Sequence, residues 1–172
     1  KIKKVKWKNH PILGNLEVDF VNPSTRVPFD TILFAGENGT GKTTILESIS
    51  TFLNRGSFEY FETIEYIVDG RLYIATPSPH PSVKDFYTMT DDAGTVTQMN
   101  SNKNNRPELI DNNPLDIRHY GCVFSKARAD YRTTKITSTT TKSLDLEKYD
   151  IDLEDDFTSS KQLIVDIHNQ YN

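Results

Sequence analysis

The chain has 172 residues, the size of one ordinary domain, with 35 % hydrophobic residues, 26 % charged residues and a formal net charge of −4. That is a polar chain able to build a modest core, and its charge gives no global case for nucleic-acid binding. No apolar run approaches the ~20 residues that span a bilayer, so no membrane partner is expected. The basic N-terminus alternates with Val5 and Trp7 instead of opening a leader-like apolar stretch. The single cysteine, Cys122, excludes an internal disulfide framework and a cysteine zinc cluster, and fits a cytoplasmic protein.

In chain order, Val5 and Trp7 alternate with Lys4, Lys6 and Lys8, and Leu16, Val18 and Phe20 with Glu17 and Asp19. Period two predicts two half-buried strands, turned at Pro11 and Gly14-Asn15. The continuous apolar run Thr31 to Ala35 reads as a central strand buried on both faces. A loop from Gly36 to Gly41 leads to a helix from Thr43 to about Leu53. Its apolar positions Ile45, Ile49, Phe52 and Leu53 recur at helical spacing before Gly56. Over residues 58–100 the period returns to strands, among them Arg71 to Ala75 and Asp85 to Met89. Asp69-Gly70 and Asp92-Ala93-Gly94 mark hairpins, so a small antiparallel sheet attached to the first unit is expected. Residues 100–114 read as an Asn- and Pro-rich loop and Ile117 to Phe124 as a strand. A basic turn to residue 132 and a polar, then acidic, loop over 133–158 follow. A helix over 159–171 carries Leu163, Ile164, Ile167 and Tyr171 on one face.

One stretch carries chemistry. Gly36-Glu37-Asn38-Gly39-Thr40-Gly41-Lys42-Thr43 fits G-x-x-x-x-G-K-[ST] without a mismatch. Backbone N–H groups can wrap a phosphate chain only if few side chains intervene, which accounts for Gly36, Gly39 and Gly41. The helix behind the loop turns its positive end toward the phosphates. Lys42 supplies a cation for the β- and γ-phosphates, and the Thr43 hydroxyl a ligand for Mg²⁺. The expected cofactors are therefore ATP and Mg²⁺. Lys42 and Thr43 are the candidate catalytic residues, Thr43 the metal ligand, and Gly36 through Thr44 the nucleotide cradle. Chance alone would produce the pattern in on the order of 1 % of chains this long, and the predicted strand before and helix after reduce that further.

The extended string Gly-Glu-Asn-Gly-Thr-Gly-Lys-Thr-Thr-Ile-Leu-Glu-Ser-Ile, behind an apolar strand, resembles the ABC-type ATPase heads of SMC, RecF and OLD-like proteins. The resemblance implies an α/β P-loop NTPase fold: the N-terminal part of such a head, a mixed sheet with an antiparallel β subdomain. It also implies that Lys8, Asn9 and His10, at the end of the first strand, lie where such heads often place nucleotide contacts; a surface turn is the equal alternative for the same residues. The stretch from His119 to Arg132, with Lys126 and Arg128 in it and Gln162 to Ile167 beyond, is similar to the ATPase subunit of Septu-type anti-phage systems, including retron-attached ones. That similarity implies ATP hydrolysis in head-to-head dimers, a partner nuclease of HNH type, and nucleic acid or a retron reverse transcriptase as further partners. A repair or chromosome-maintenance ATPase of the RecF or SMC kind, and a slow-turnover ATP-gated scaffold, are the alternatives.

The sequence also departs from the family pattern. Ser125 stands where such heads place a metal-binding glutamine at a strand end. Ser159-Ser160-Lys161-Gln162 lacks the glycine pair of a signature motif, and Leu163 to Asp166 lacks the second acid and reads as helix. The signature, the acidic strand end and the switch residue are therefore expected beyond Asn172, and the 172 residues alone are expected to bind nucleotide weakly without turnover. The cluster Lys126, Arg128, Arg132, Lys135 and Lys142 reads either as a contact for phosphate, nucleic acid or an acidic partner or, the reading preferred, as a solvated loop, with Arg128 the residue expected to be structured. The acidic run Asp145 to Asp156 reads the same way, Cys122 as a small core residue, and His80 and His168 as incidental.

Overall fold

The structure is a computed structural model and describes residues 1–79, 86–100, 116–120, 122, 124 and 168. The chain divides into two compact units, Lys1–His119 and Tyr120–Asn172. Among its described residues the first has six strands and one α-helix: β1 (Ile2–Trp7), β2 (Glu17–Asp19), α1 (Lys42–Arg55), β3 (Phe61–Val68), β4 (Arg71–Pro77), β5 (Phe86–Asp91) and β6 (Val96–Asn100). They form one sheet in the order β2-β1-β3-β4-β5-β6. Every pairing is antiparallel. The antiparallel component of the expected sheet is thus in place, while no parallel pair occurs among the described residues. Strands over residues 58–100 do not make a separate sheet, since β3 pairs directly with β1, Val5 opposite Ile64.

Alternation in β1 sends Val5 and Trp7 into the core, both fully buried, and Lys4 and Lys6 to the other face. There Lys4 meets Glu17 at 2.5 Å and Lys6 meets Glu62 at 3.1 Å, while a register shift brings Lys3 within 3.4 Å of Glu65. Half-exposed pairs of this kind contribute about 0–1 kcal/mol each. Their larger effect is to neutralise the basic N-terminus, which leaves no positive patch on β1. Asp69 and Gly70, with φ of 48° and 77°, make the two-residue β3–β4 turn whose twist matches the strands. At the β5–β6 turn the Asp91 carboxylate accepts the Ala93 and Thr95 amides at 3.0 and 2.7 Å.

Helix α1 covers one face of the sheet. Phe52, fully buried, meets the rings of Phe58, Phe61, Tyr66 and Tyr87 with centroids 5.5–6.5 Å apart. Gly56 ends the helix in the left-handed conformation, φ 69°, and donates its N–H to the Phe52 carbonyl at 2.7 Å.

Two expectations are corrected. Thr31 to Ala35 is not a buried central strand: Ile32 is 45 % and Leu33 89 % exposed, and only Phe34 packs inward, edge-on to Phe20 at 6.3 Å. An apolar run is buried as a strand only where neighbours take its backbone groups. Both edges of β1 are occupied by β2 and β3, and no strand lies beside this run among the described residues. The segment Ile117 to Phe124 does not start as a strand either, since Ile117–Tyr120 is a 3₁₀ turn. Asp116 closes it locally: its carboxylate accepts the Arg118 N–H at 2.9 Å and its carbonyl the His119 N–H at 2.9 Å. The Arg118 guanidinium, 1 % exposed, donates to both Asp116 oxygens and to the Asn100 carbonyl at 2.7 Å, and lies 5.1 Å from the centre of the Tyr87 ring. In the second unit Cys122 is half-buried, and burial pushes its thiol up, away from nucleophile behaviour.

Candidate nucleotide site

The site is the bend by which the chain enters α1. Gly39 and Gly41 have φ of 85° and 87°, a region open to glycine and costly to a side chain. Gly41 is the N-cap, with no side chain capping the helix. The Ile45 N–H donates to the Gly41 carbonyl at 2.9 Å, the first bond of the helix. The N–H groups of Lys42, Thr43 and Thr44 precede that bond and have no acceptor within the helix. They converge at the positive end of the helix dipole, an arrangement that suits an anion.

Lys42 folds back across the loop. Its ammonium donates to the Gly36 carbonyl at 2.8 Å and the Glu37 carbonyl at 2.5 Å, with the Thr40 hydroxyl at 3.3 Å. Thr40 in turn donates to the Glu37 carbonyl at 2.9 Å. Two of three ammonium protons thus go to backbone oxygens at the loop's start. The positive charge is held against the loop's own oxygens. Glu37, Asn38, Gly39 and Thr40 are exposed, as is Thr43, whose hydroxyl is accessible at the first turn. The residues expected to form the cradle, Gly36 to Thr44, are therefore brought together at one helix end.

These donors fit a polyphosphate: orphan N–H groups, one fixed cation and an exposed hydroxyl. They fit Mg²⁺ only jointly with phosphate, because Thr43 offers one oxygen. Among the described residues no cluster of three His, Cys, Asp or Glu side chains could hold a metal by itself.

A cleft of about 210 Å³ runs along α1 from Thr44 past Glu47 and Thr51 and is bounded by His10, Glu59 and Tyr60. His10 packs edge-on to Tyr60 at 5.2 Å. Of the three strand-end residues singled out from sequence, His10 reaches this cleft, whereas the Asn9 backbone N–H is tied to the Asn15 side chain at 2.8 Å. The turn after β1 lies on the loop itself: a Cβ placed on Gly41 would stand 2.8 Å from Leu13 Cδ2 and 3.6 Å from Ile12 Cγ2. Sequence reasoning missed that contact, because a turn of five residues carries no period to indicate what it rests on. Ser125, Lys126 to Lys142, Asp145 to Asp156 and Leu163 to Asp166 lie outside the described residues.

A glycine-bent loop that fixes its own lysine at the head of an amphipathic helix defines a P-loop nucleotide-binding protein. The family model of the AAA ATPase domain matches residues 1–172, the whole chain, and the chain belongs to that family of ATPases. No curated protein and no solved structure matches it. No helix among the described residues is long and apolar enough to cross a membrane.

Proposed function

We propose that the chain binds ATP with Mg²⁺ at Gly36 to Thr44 and serves as the ATP-hydrolysing subunit of a cytoplasmic anti-phage defence complex, controlling an associated HNH-type nuclease. The observation that carries the nucleotide reading is the Lys42 ammonium, held by the Gly36 and Glu37 carbonyls, at the end of α1 whose first N–H groups have no acceptor in the helix. In this reading Lys42 keeps its two backbone bonds and turns its remaining proton to the β- and γ-phosphates. The N–H groups of Lys42 to Thr44 take the phosphate oxygens. The Thr43 hydroxyl would hold Mg²⁺ as one ligand beside the phosphates, and the ion would supply charge neutralisation there. Two copies would close head to head over the nucleotide, each loop facing the other protomer. The defence role is supported by the resemblance of the His119 to Arg132 stretch to Septu-type ATPases.

Lys42→Ala tests the core of this reading. Loss of a charge-assisted contact worth about 1.5–3 kcal/mol should weaken MgATP binding about 10- to 150-fold in calorimetry. Folding should be untouched, because the lysine's partners are exposed backbone oxygens. Equal affinity, and equal phosphate release when both forms are made as the full-length protein, would overturn the assignment. Co-expression with a nuclease encoded beside it tests the system-level role: nuclease activity should respond to ATP with the wild-type chain and not with Lys42→Ala.

A further inference from the structure

The turn between β1 and β2 is organised by one imidazole. His10 Nδ1 accepts the N–H of Ile12 at 3.0 Å and of Leu13 at 3.1 Å. The backbones of His10 and Gly14 exchange hydrogen bonds at 3.0 and 2.8 Å, closing the turn at its base. A nitrogen that accepts two hydrogen bonds carries no proton, so this network assigns the proton to Nε2. The ring edge rests on Tyr60, whose carbonyl accepts the Lys8 N–H at 2.8 Å. The imidazole is thus fixed at Nδ1 and along its side. What it folds is the pair Ile12 and Leu13, whose side chains lie against Gly41, the residue at which the phosphate loop turns into α1.

We propose that His10 is a positioning residue for the phosphate loop. It holds the turn that seats Leu13 on Gly41, and so sets the left-handed bend that aims the Lys42 and Thr43 N–H groups. The idea rests on the nucleotide reading above and adds to it a residue that acts through Nδ1 and Leu13 rather than by touching nucleotide. The contact is one-sided in its chemistry. Gly41 offers Leu13 only backbone: a Cβ there would stand 2.8 Å from Leu13 Cδ2, so the end of the leucine would have to shift, and at φ 87° a side chain is strained besides.

Amide side chains separate the two imidazole nitrogens. Asn places its oxygen near the position of Nδ1, whereas Gln reaches the position of Nε2. The full chain would be compared as wild type, His10→Asn, His10→Gln, His10→Ala and Leu13→Ala. The probes are a fluorescent ATP analogue with Mg²⁺ and the ¹⁵N resonance of the Gly41 amide. Losing the acceptor shared by two N–H groups in His10→Gln and His10→Ala, or the side chain seated on Gly41 in Leu13→Ala, should weaken binding on the order of tenfold, with the Gly41 resonance displaced. His10→Asn should stay within about twofold of wild type, its Gly41 resonance unmoved. Binding kept by Gln and lost by Asn would assign His10 to direct ligand contact through Nε2 and overturn the proposal. So would a Gly41 resonance indifferent to all four substitutions. If the wild type fails to bind the analogue, the nucleotide reading fails, and the Gly41 resonance still decides the positioning role on its own.

Discussion

Phe52→Ala is the substitution that best tests how the helix behind the phosphate loop is held. The ring is fully buried and contacts four aromatic neighbours from Phe58, β3 and β5. Truncating a buried phenylalanine costs about 3–5 kcal/mol, through lost transfer free energy and the cavity left behind. That is a large part of the 5–15 kcal/mol by which domains are stable. The chain supplies its own reporter, because its one tryptophan, Trp7, is fully buried and donates Nε1–H to Ser48 of α1 at 3.2 Å. Urea unfolding followed by Trp7 fluorescence should show the midpoint falling by about 2 M, taking ~2 kcal/mol per molar for the slope. Leu46→Ala is the control on the same helix: at 44 % exposure it should cost no more than roughly 0.5 kcal/mol. If Phe52→Ala moves the midpoint no further than Leu46→Ala, the helix is not anchored through this aromatic cluster.

Two further outcomes are expected. Asp116→Ala should cost about 3–5 kcal/mol in the same assay by stranding a buried guanidinium, and Arg118→Met added to it should recover part of the loss; strictly additive effects would deny the pairing. The Asp91 carboxyl is held below its ordinary value first by the Thr95 amide, then by Ala93 and by Arg71. A lowered value stabilises the fold above the unfolded carboxylate's range, and the effect is lost as pH falls through the folded one. Hydrogen exchange at Ala93 and Thr95, corrected for intrinsic rates, should therefore quicken below about pH 4 and hold steady above it. A flat profile would remove Asp91 from the turn.

Strands, helix and loop differ in how far the sequence reveals them, for physical reasons. Val5 with Trp7, and Ile45 with Phe52, signal their elements because period reports which face is buried, and Gly56 marks the helix end because only glycine sits easily at φ 69°. The loop from Gly36 to Lys42 is equally plain, since its chemistry is local. Thr31 to Ala35 misleads because composition tells how apolar a run is and not whether another strand lies beside it. Ile117 misleads because the high strand propensity of its segment yields to the single carboxylate of Asp116. His10 is marked in the sequence only by its place at the end of the first strand. The role proposed for it lies in two hydrogen bonds, from Ile12 and Leu13, and in the closeness of Leu13 to Gly41, 28 residues further along the chain.

The order of the strands also bears on how the chain folds. From β3 to β6 each strand pairs with the next in sequence, so this meander can zip up through short closures and should form early. The β1–β3 pairing is different, because Val5 must find Ile64 with the phosphate loop and α1 contained in the intervening chain. Closing that loop is entropically the more demanding step. Leu13 reaches Gly41 only once β1 is in place, so the loop should gain its binding geometry in the later phase. Refolding followed by far-ultraviolet dichroism should then run ahead of the recovery of nucleotide binding, and a ligand that recognises only the closed loop should slow unfolding more than it speeds folding.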